Sequence, residues 1–467
     1  MLRPALFPIL LVLAAACTQP PPNIILIVTD DQGYEDLGTY GARGFATPHL
    51  DQMAREGIRF TDFYTAAASC SPSRAAMLTG MYPQRLGIPG VLMPQSTKGL
   101  HPDEVTLAEL LQTGGYATAC IGKWHLGHAT PHLPPNHGFD VYFGIPYSND
   151  MTPDSVKNPN PYARRHPPLP LVEGLEVIET EPDQRQLTRW YTERAVRFIE
   201  ENASDPFFLY VPHTFPHMPL FTSDSFTGKS ERGLYGDVLM EIDWSVGRIM
   251  DTLKRRGLDK NTLVIFTSDN GPWLVKGNHS GSAGPLREGK GTTFEGGHRV
   301  PLLMWWPGVI PAGMVSSELV TAMDFVPTIA RLTGTKSTGL AFDGKDITAL
   351  LRQEPGAESP HEAFYYYNGR QLQAVRAGPW KLHVPHRYRS IHGARLSTPT
   401  HPGAYVQDSI GLALFNLETD VGETMDLKAE HPEIVKRLQE LMDRMREDLG
   451  DALTDHKGSG VRKAAEI

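Results

Sequence analysis

The chain has 467 residues, more than one typical domain, with 40% hydrophobic and 21% charged residues. That balance places it among globular proteins with a large core and away from disordered chains. A formal net charge of −9 argues against a nucleic-acid surface, and an anionic ligand would need a local basin built from Arg, Lys and His side chains and a metal.

Residues 1–16 carry one basic residue, Arg3, then an apolar run through Leu10, Leu11, Val12 and Leu13, then Ala14, Ala15 and Ala16 ahead of Cys17. This is the layout of a secretory leader, too short to span a bilayer. Small residues before a cysteine also resemble a bacterial lipobox, in which Cys17 would be lipidated and attach the protein to a membrane. Export is therefore expected, as a periplasmic or cell-envelope lipoprotein or, after plain cleavage, as a secreted protein. Of the other two cysteines, Cys120 lies in an apolar run and reads as a free core thiol, with a Cys70–Cys120 disulfide as the alternative.

After Pro20-Pro21-Pro22, residues 23–29 form an unbroken β-branched run that ends in Asp30 and Asp31. Such a run suits a strand of a parallel sheet buried on both faces, where ligands gather at the carboxyl ends. Two adjacent carboxylates repel unless a cation holds them, so the pair reads as a hard-metal site. Residues 262–268 repeat the pattern and end in Asp269 and Asn270. Between these, Thr47-Pro48 opens a helix, and residues 70–80, Cys-Ser-Pro-Ser-Arg-Ala-Ala-Met-Leu-Thr-Gly, put Cys70 and Arg74 at the start of another. A helix N-terminus there would favour a bound anion.

Helical spacing over 105–111 precedes the Cys120 strand, which runs on into Gly122-Lys123-Trp124-His125. Strand alternation would put Lys123 and His125 on one side, facing one pocket. Residues 149–181 are rich in proline and read as a long functional loop over the site. The strand at 207–211 leads to His213 and His217 between prolines, and residues 289–297 give a glycine-rich loop with a single lysine, Lys290. That loop lacks P-loop spacing. Beyond about residue 351 the pattern changes to short strands at 364–367, 371–377, 380–384 and 414–417 and a last amphipathic helix. The fold expected is α/β, a large mostly parallel sheet sandwiched by helices, with a smaller C-terminal α+β domain. The divisions are 1–22 for leader and linker, 23–350 for the catalytic domain and 351–467 for the antiparallel sheet and helix.

The cysteine segment, with the Asp30-Asp31, Lys123/His125, Asp269-Asn270 and Lys290 motifs in order, resembles the sulfatase family within the alkaline-phosphatase-like superfamily. The nearest likeness is to arylsulfatase A-type enzymes and galactosamine-6-sulfatases. The resemblance implies that Cys70 is converted to formylglycine by a formylglycine-generating enzyme. It also implies that one calcium ion is held by Asp30, Asp31, Asp269 and Asn270, with the modified Cys70 reaching it. By the same likeness Arg74 and Lys123 would stabilise the aldehyde hydrate and His125 would be its base. His217 and Lys290 would hold the sulfate and assist the leaving alcohol, and Ser148 would contact sulfate. His298 departs from the commoner apolar residue of the Glu-Gly-Gly-x-Arg motif, and residues 386–407, a region that by the likeness borders the substrate pocket, have no secure counterpart.

A thiolate would form an adduct with no easy exit, whereas a hydrate attacks sulfur through one hydroxyl and expels sulfate through the other. The substrate implied is a sulfated small molecule or saccharide. Two alternatives remain at this level: a phosphomonoester or phosphodiester hydrolase of the same superfamily, and a non-catalytic binder of sulfated glycans clamping anions with Arg74, Lys123 and Lys290.

Overall fold

The computed structural model describes residues 20–153, 165–336, 341–398, 401 and 403–467. The expectations for the leader and for Cys17 lie outside the described residues. So does the middle of the proline-rich stretch, 154–164. Among the described residues no helix is long and apolar enough to cross a membrane.

Ten strands form one sheet, in the order Met314–Ser316, Ile58–Phe60, Leu302–Trp305, Thr262–Ser268, Asn23–Thr29, Phe207–Pro212, Ala117–Ile121, Val141–Gly144, Pro170–Glu173 and Glu176–Thr180. The five strands from Thr262–Ser268 to Val141–Gly144 are all parallel. Antiparallel pairs flank them on both sides. Strand Asn23–Thr29 is apolar throughout because both its faces are covered. Ile24, Leu26 and Val28 join a core with Ala75, Met77 and Leu78 of helix Cys70–Thr79. Ile25 and Ile27 join another with Val238, Ile242 and Val246 of helix Leu234–Arg256. Each such fully buried aliphatic side chain stabilises the layers by about 1.5–3 kcal/mol.

This register positions the site. Thr29 pairs with Ser268 at the ends of the two central strands, so the residues that follow, Asp30-Asp31 and Asp269-Asn270, emerge side by side. The Asp269 amide donates to the Thr29 carbonyl (3.0 Å) and the Asp30 amide to that of Phe215 (3.2 Å), which fixes the strand tips to the histidine loop.

A second, four-stranded antiparallel sheet is made of Phe364–Asn368, Gln371–Ala377, Trp380–His383 and Ala413–Asn416. With helix Pro432–Leu449 it encloses Tyr366, Leu372, Leu382, Leu438 and Met442, and the same cluster takes in Tyr64 and Ala76 of the larger body.

Three expectations change. Residues 170–180 are a hairpin that widens the large sheet, not part of a structureless loop, because Leu171 and Val172 find buried places at its edge. Cys70 and Cys120 are both free thiols, so the disulfide alternative falls. A further hairpin, His386–Arg395 with Ala404–Ile410, stands where sequence reading assigned no structure.

Candidate active site

The two strand tips, the start of helix Cys70–Thr79 and three loops converge on one basin. Cys70 is the first residue of its helix and is 2% exposed. Its sulfur lies 3.5 Å from Asp30 Oδ1 and 3.5 Å from Lys290 Nζ. Donor atoms of Asp30, Asp31, Cys70 and His217 all lie within 4.8 Å of one another. Asp31 reaches this place with φ of +64°, a left-handed backbone that L residues rarely adopt outside functional or turn positions.

Three carboxylates face three cations here. Arg74 donates through Nη2 to Asp30 (2.7 Å), through Nε to Asp269 (2.8 Å) and through Nη1 to the Lys123 carbonyl (2.6 Å). Its guanidinium is fully buried and spent on these partners, so it braces the carboxylates from behind. Lys123 Nζ donates to Asp30 and to Ser148 Oγ, the latter at 3.0 Å. Lys290 Nζ bridges both oxygens of Asp31, at 2.6 and 2.8 Å.

Burial alone would raise the Asp30 carboxyl, yet Lys123 and Arg74 outweigh it and hold the group well below the usual carboxylate range. Asp269, penalised by burial and by the neighbouring Asp30 charge, is pushed up to about 7. A cation among these oxygens would relieve that repulsion.

One atom points to such a cation. The Asn270 amide nitrogen donates to Asp31 Oδ1 (2.7 Å) and to the Gly271 carbonyl (2.9 Å). Its Oδ1 is buried with no donor among the described residues, a cost of about 1–3 kcal/mol unless a ligand meets it. Asp30, Asp31 and the unmatched Asn270 oxygen are the kind of buried donors a hard divalent ion takes, whereas Asp269 stands outside the close group of Asp30, Asp31, Cys70 and His217 and accepts from Arg74 and from the Asp31 amide (3.2 Å).

The histidines differ in placement. His125 Nε2 donates to the Leu92 carbonyl (3.1 Å), leaving Nδ1 as the lone-pair atom, without a partner among the described residues. Burial, with Lys123 and Arg74 adding to it, keeps this ring neutral. His217 Nδ1 donates to the Met218 carbonyl (2.6 Å), and Nε2 lies 3.6 Å from Asp31 and 3.4 Å from Ser148 Oγ. Burial and Lys290 bring His217 down to about 3. His213 is not part of the basin. It is buried beside Ser245 and Tyr191. His298 is also elsewhere: its Nδ1 donates to the Thr65 carbonyl (2.8 Å) and its ring packs against Tyr366.

Lys123 and His125 come together with the site, but not by strand alternation. The strand stops at Ile121. Gly122 then turns with φ of +140°, where a Cβ would meet the Pro212 carbonyl oxygen at 2.0 Å. His125 itself sits at φ of +64°. Backbone bonds from Lys123 to Pro212 (2.7 Å) and from His125 to Pro146 (3.1 Å) hold the segment.

A cavity of about 570 Å³ opens onto the basin, lined at its inner end by Cys70, His125, Ser148, His217 and Lys290. Its outer wall includes Trp273, Arg387, Arg389 and Gln407; the last three fall in the segment 386–407 marked in the sequence, though none was singled out individually. Trp273 had one usable signal, its position three residues past Asn270.

Residues 22–335 match the family model described as Sulfatase, and residues 359–460 that of the C-terminal region of aryl-sulfatase. Arylsulfatase A of Bos taurus is 42% identical over 422 residues, spanning 85% of this chain and 82% of its own. N-acetylgalactosamine-6-sulfatase of Sus scrofa is 39% identical over 442 residues, spanning 88% and 83%. Among solved structures, PsFucS1 sulfatase from Pseudoalteromonas sp. superposes with a TM-score of 0.81 at 29% identity, over 91% of this chain and 90% of that one. With both its sheets matched by family models and its length shared with these relatives, the chain belongs to the sulfatase family and is a sulfuric ester hydrolase.

Proposed function

We propose that the protein hydrolyses sulfate esters of saccharides through a formylglycine made from Cys70, beside one calcium ion held by Asp30, Asp31, Asp269 and Asn270. The observation that carries this reading is the position of Cys70: first in its helix, within 3.5 Å of Asp30 and Lys290, beside an unmatched amide oxygen at the adjoining strand tip. Burial and the Asp30 charge push the Cys70 thiol far up, so an unmodified cysteine would stay protonated and a poor nucleophile. Converted to an aldehyde hydrate beside a cation, the same position supplies a hydroxyl nucleophile and a second hydroxyl whose loss of a proton frees sulfate.

The chain's own residues do the rest. Lys123, Ser148, His217 and Lys290 surround the place of the sulfuryl oxygens and stabilise the charge that spreads over them. Arg74 holds Asp30 and Asp269 in place for the cation. His125, neutral and with its Nδ1 lone pair without a partner among the described residues, takes the proton from the second hydroxyl. An anionic headgroup next to His217 favours its imidazolium, and that proton is then available to the leaving oxygen, with the Lys290 ammonium beside it.

The saccharide class is supported by the relatives' names, N-acetylgalactosamine-6-sulfatase among them. It is supported too by the solved structure of Ps i-CgsB in complex with k-i-k-neocarrahexaose, 32% identical with a TM-score of 0.76 over 91% of this chain and 92% of that one. The leader and Cys17 support an exported, membrane-attached enzyme, matured by a separate formylglycine-generating enzyme. The division into residues 23–350 and 351–467 belongs to the same proposal. Co-expression with the maturing enzyme tests the chemistry: aryl-sulfate turnover is expected from the native chain and is abolished in Cys70→Ala. Turnover retained by Cys70→Ala would overturn it.

A further inference from the structure

The hairpin His386–Arg395 with Ala404–Ile410 forms the cavity's outer wall and is fastened to the loop that carries Lys290. Arg389 donates to the Lys290 carbonyl through Nε (3.1 Å) and Nη2 (2.5 Å), with its guanidinium over the Tyr405 ring at 5.0 Å. Gly291 makes room for it, since a Cβ there would meet Nη2 at 2.0 Å. Glu288 accepts from Ser390 Oγ (2.6 Å) and from the Ile391 amide (2.8 Å). Four bonds thus tie one strand of the hairpin to residues 288–290.

Arg387 lies two positions before Arg389 on the same strand, so both fall on one face, about 7 Å apart along it. Tyr388 between them is buried against Phe294. Arg389 uses its donors on the lysine loop, whereas Arg387 is exposed at the cavity wall and has no ion pair or side-chain hydrogen bond among the described residues. A guanidinium in a wall shared with the reacting groups, held on a braced strand and left unpaired, is placed for a planar or tetrahedral anion. The lining contains one acid among the described residues, Asp150, and it lies in the Ser148 turn at the other end. Trp273, part-exposed in the same lining, lies 5.5 Å from the His217 ring and has Lys276 Nζ at 4.1 Å and Lys290 Nζ at 4.9 Å over its ring, so it carries two more cations into the wall. At about 570 Å³ the cavity holds more than a sulfate group.

We propose that Arg387 reads a second anionic group on the substrate, a carboxylate or another sulfate on the saccharide, while Arg389 is a positioning residue that pins the hairpin to Lys290. The proposal rests on the sulfate-ester reading above and adds to it that the substrate carries at least two charges. The test compares kcat/KM on a singly sulfated neutral sugar with that on two dianionic relatives, one bearing a second sulfate and one a uronate, with an aryl sulfate as reporter. The matured native enzyme is expected to favour one dianionic sugar over its neutral counterpart. Arg387→Gln should cut that ratio about 10-fold or more, the scale of a hydrogen bond to a charged group, and Arg387→Lys should restore part of it. The arm that responds identifies the anion. A native enzyme with no such preference, or a ratio unmoved in Arg387→Gln, overturns the subsite while reporter turnover leaves the sulfatase chemistry standing. Loss of reporter turnover in the native enzyme would instead sink the chemistry and the subsite with it.

Discussion

The molecule buries two dense charge networks, and they are built to opposite ends. In the basin at the strand tips, Asp30, Asp31 and Asp269 meet Arg74, Lys123 and Lys290, yet the Asn270 amide oxygen has no partner among the described residues and a cavity opens beside it. In the other, between the two sheets, Lys381 bridges Glu295 and Glu423, each at 2.9 Å. There Tyr64 and Tyr366 donate to Glu295 at 2.5 and 2.9 Å. The Glu295 amide and His383 complete Glu423 at 2.7 and 2.8 Å. Arg299 and Arg376 close on Asp62 at 2.5 and 2.8 Å. Every carboxylate oxygen of this second network has a donor, the His383 Nδ1 being left without a partner among the described residues, and no cavity lined by Lys381, Glu295 or His383 opens beside it among those described. Closure suits a joint that fixes one sheet against the other, and an unfilled valence suits a place kept for a ligand.

Breaking the closed network should produce the largest change in stability. Lys381→Met removes the ammonium that bridges two buried glutamates, and a loss of about 3–5 kcal/mol is expected from denaturant midpoints, with turnover per folded molecule largely kept. In the open network the cost should fall on rate. Lys290→Ala is expected to lower kcat/KM for an aryl sulfate by about a hundredfold or more, the scale of one lost charge-stabilising donor, at a smaller cost in stability than Lys381→Met. The reverse ranking of the two variants would erase the distinction between the networks.

Calcium sharpens the comparison next. Adding the ion to chelated enzyme should stabilise the fold by about 2.7 kcal/mol at a hundred times its Kd, seen as a rise in Tm. Asn270→Ala should shrink that rise, whereas Lys381→Met should leave it in place on a lower baseline. The smallest effect is on pH dependence. Burial and the neighbouring Glu295 charge outweigh Lys381 and push Glu423 up to about 7. A carboxyl raised on folding binds its proton more tightly in the native state, so its contribution is whole below the ordinary glutamate value and is lost as pH climbs through 7. Its slope can be no steeper than about 1.4 kcal/mol per pH unit. Glu423→Gln should flatten it, as followed by denaturant midpoints between pH 5 and 8.

The strand tips were legible in the sequence because a strand buried on both faces must be apolar throughout, and its polar end then stands out. Asp30, Asp31, Asp269 and Asn270 were found in this way. Lys123 and His125 both reach the basin, but not through strand alternation, since the turn at Gly122 and the left-handed His125 leave no mark in side-chain periodicity. Arg74's three partners come from segments 44, 49 and 195 residues away, a convergence that only the folded chain shows. The same holds for Lys381 and Glu295, 86 residues apart. Residues 386–407 stood out as a segment without a counterpart, but their hairpin was not legible because Arg387, Tyr388 and Arg389 alternate a cavity face with a face buried by aromatic and polar groups, so no apolar period forms. Residues that shape the outer cavity were therefore the least visible, although they bear most on substrate choice.

The central claim is chemical identity at residue 70. Peptide mass spectrometry of protein co-produced with a formylglycine-generating enzyme tests it directly. The account predicts that the peptide spanning residues 70–74 has lost its sulfur for a carbonyl oxygen, in a fraction that tracks aryl-sulfate turnover across preparations. A fully active preparation in which that peptide still carries an intact thiol would contradict it.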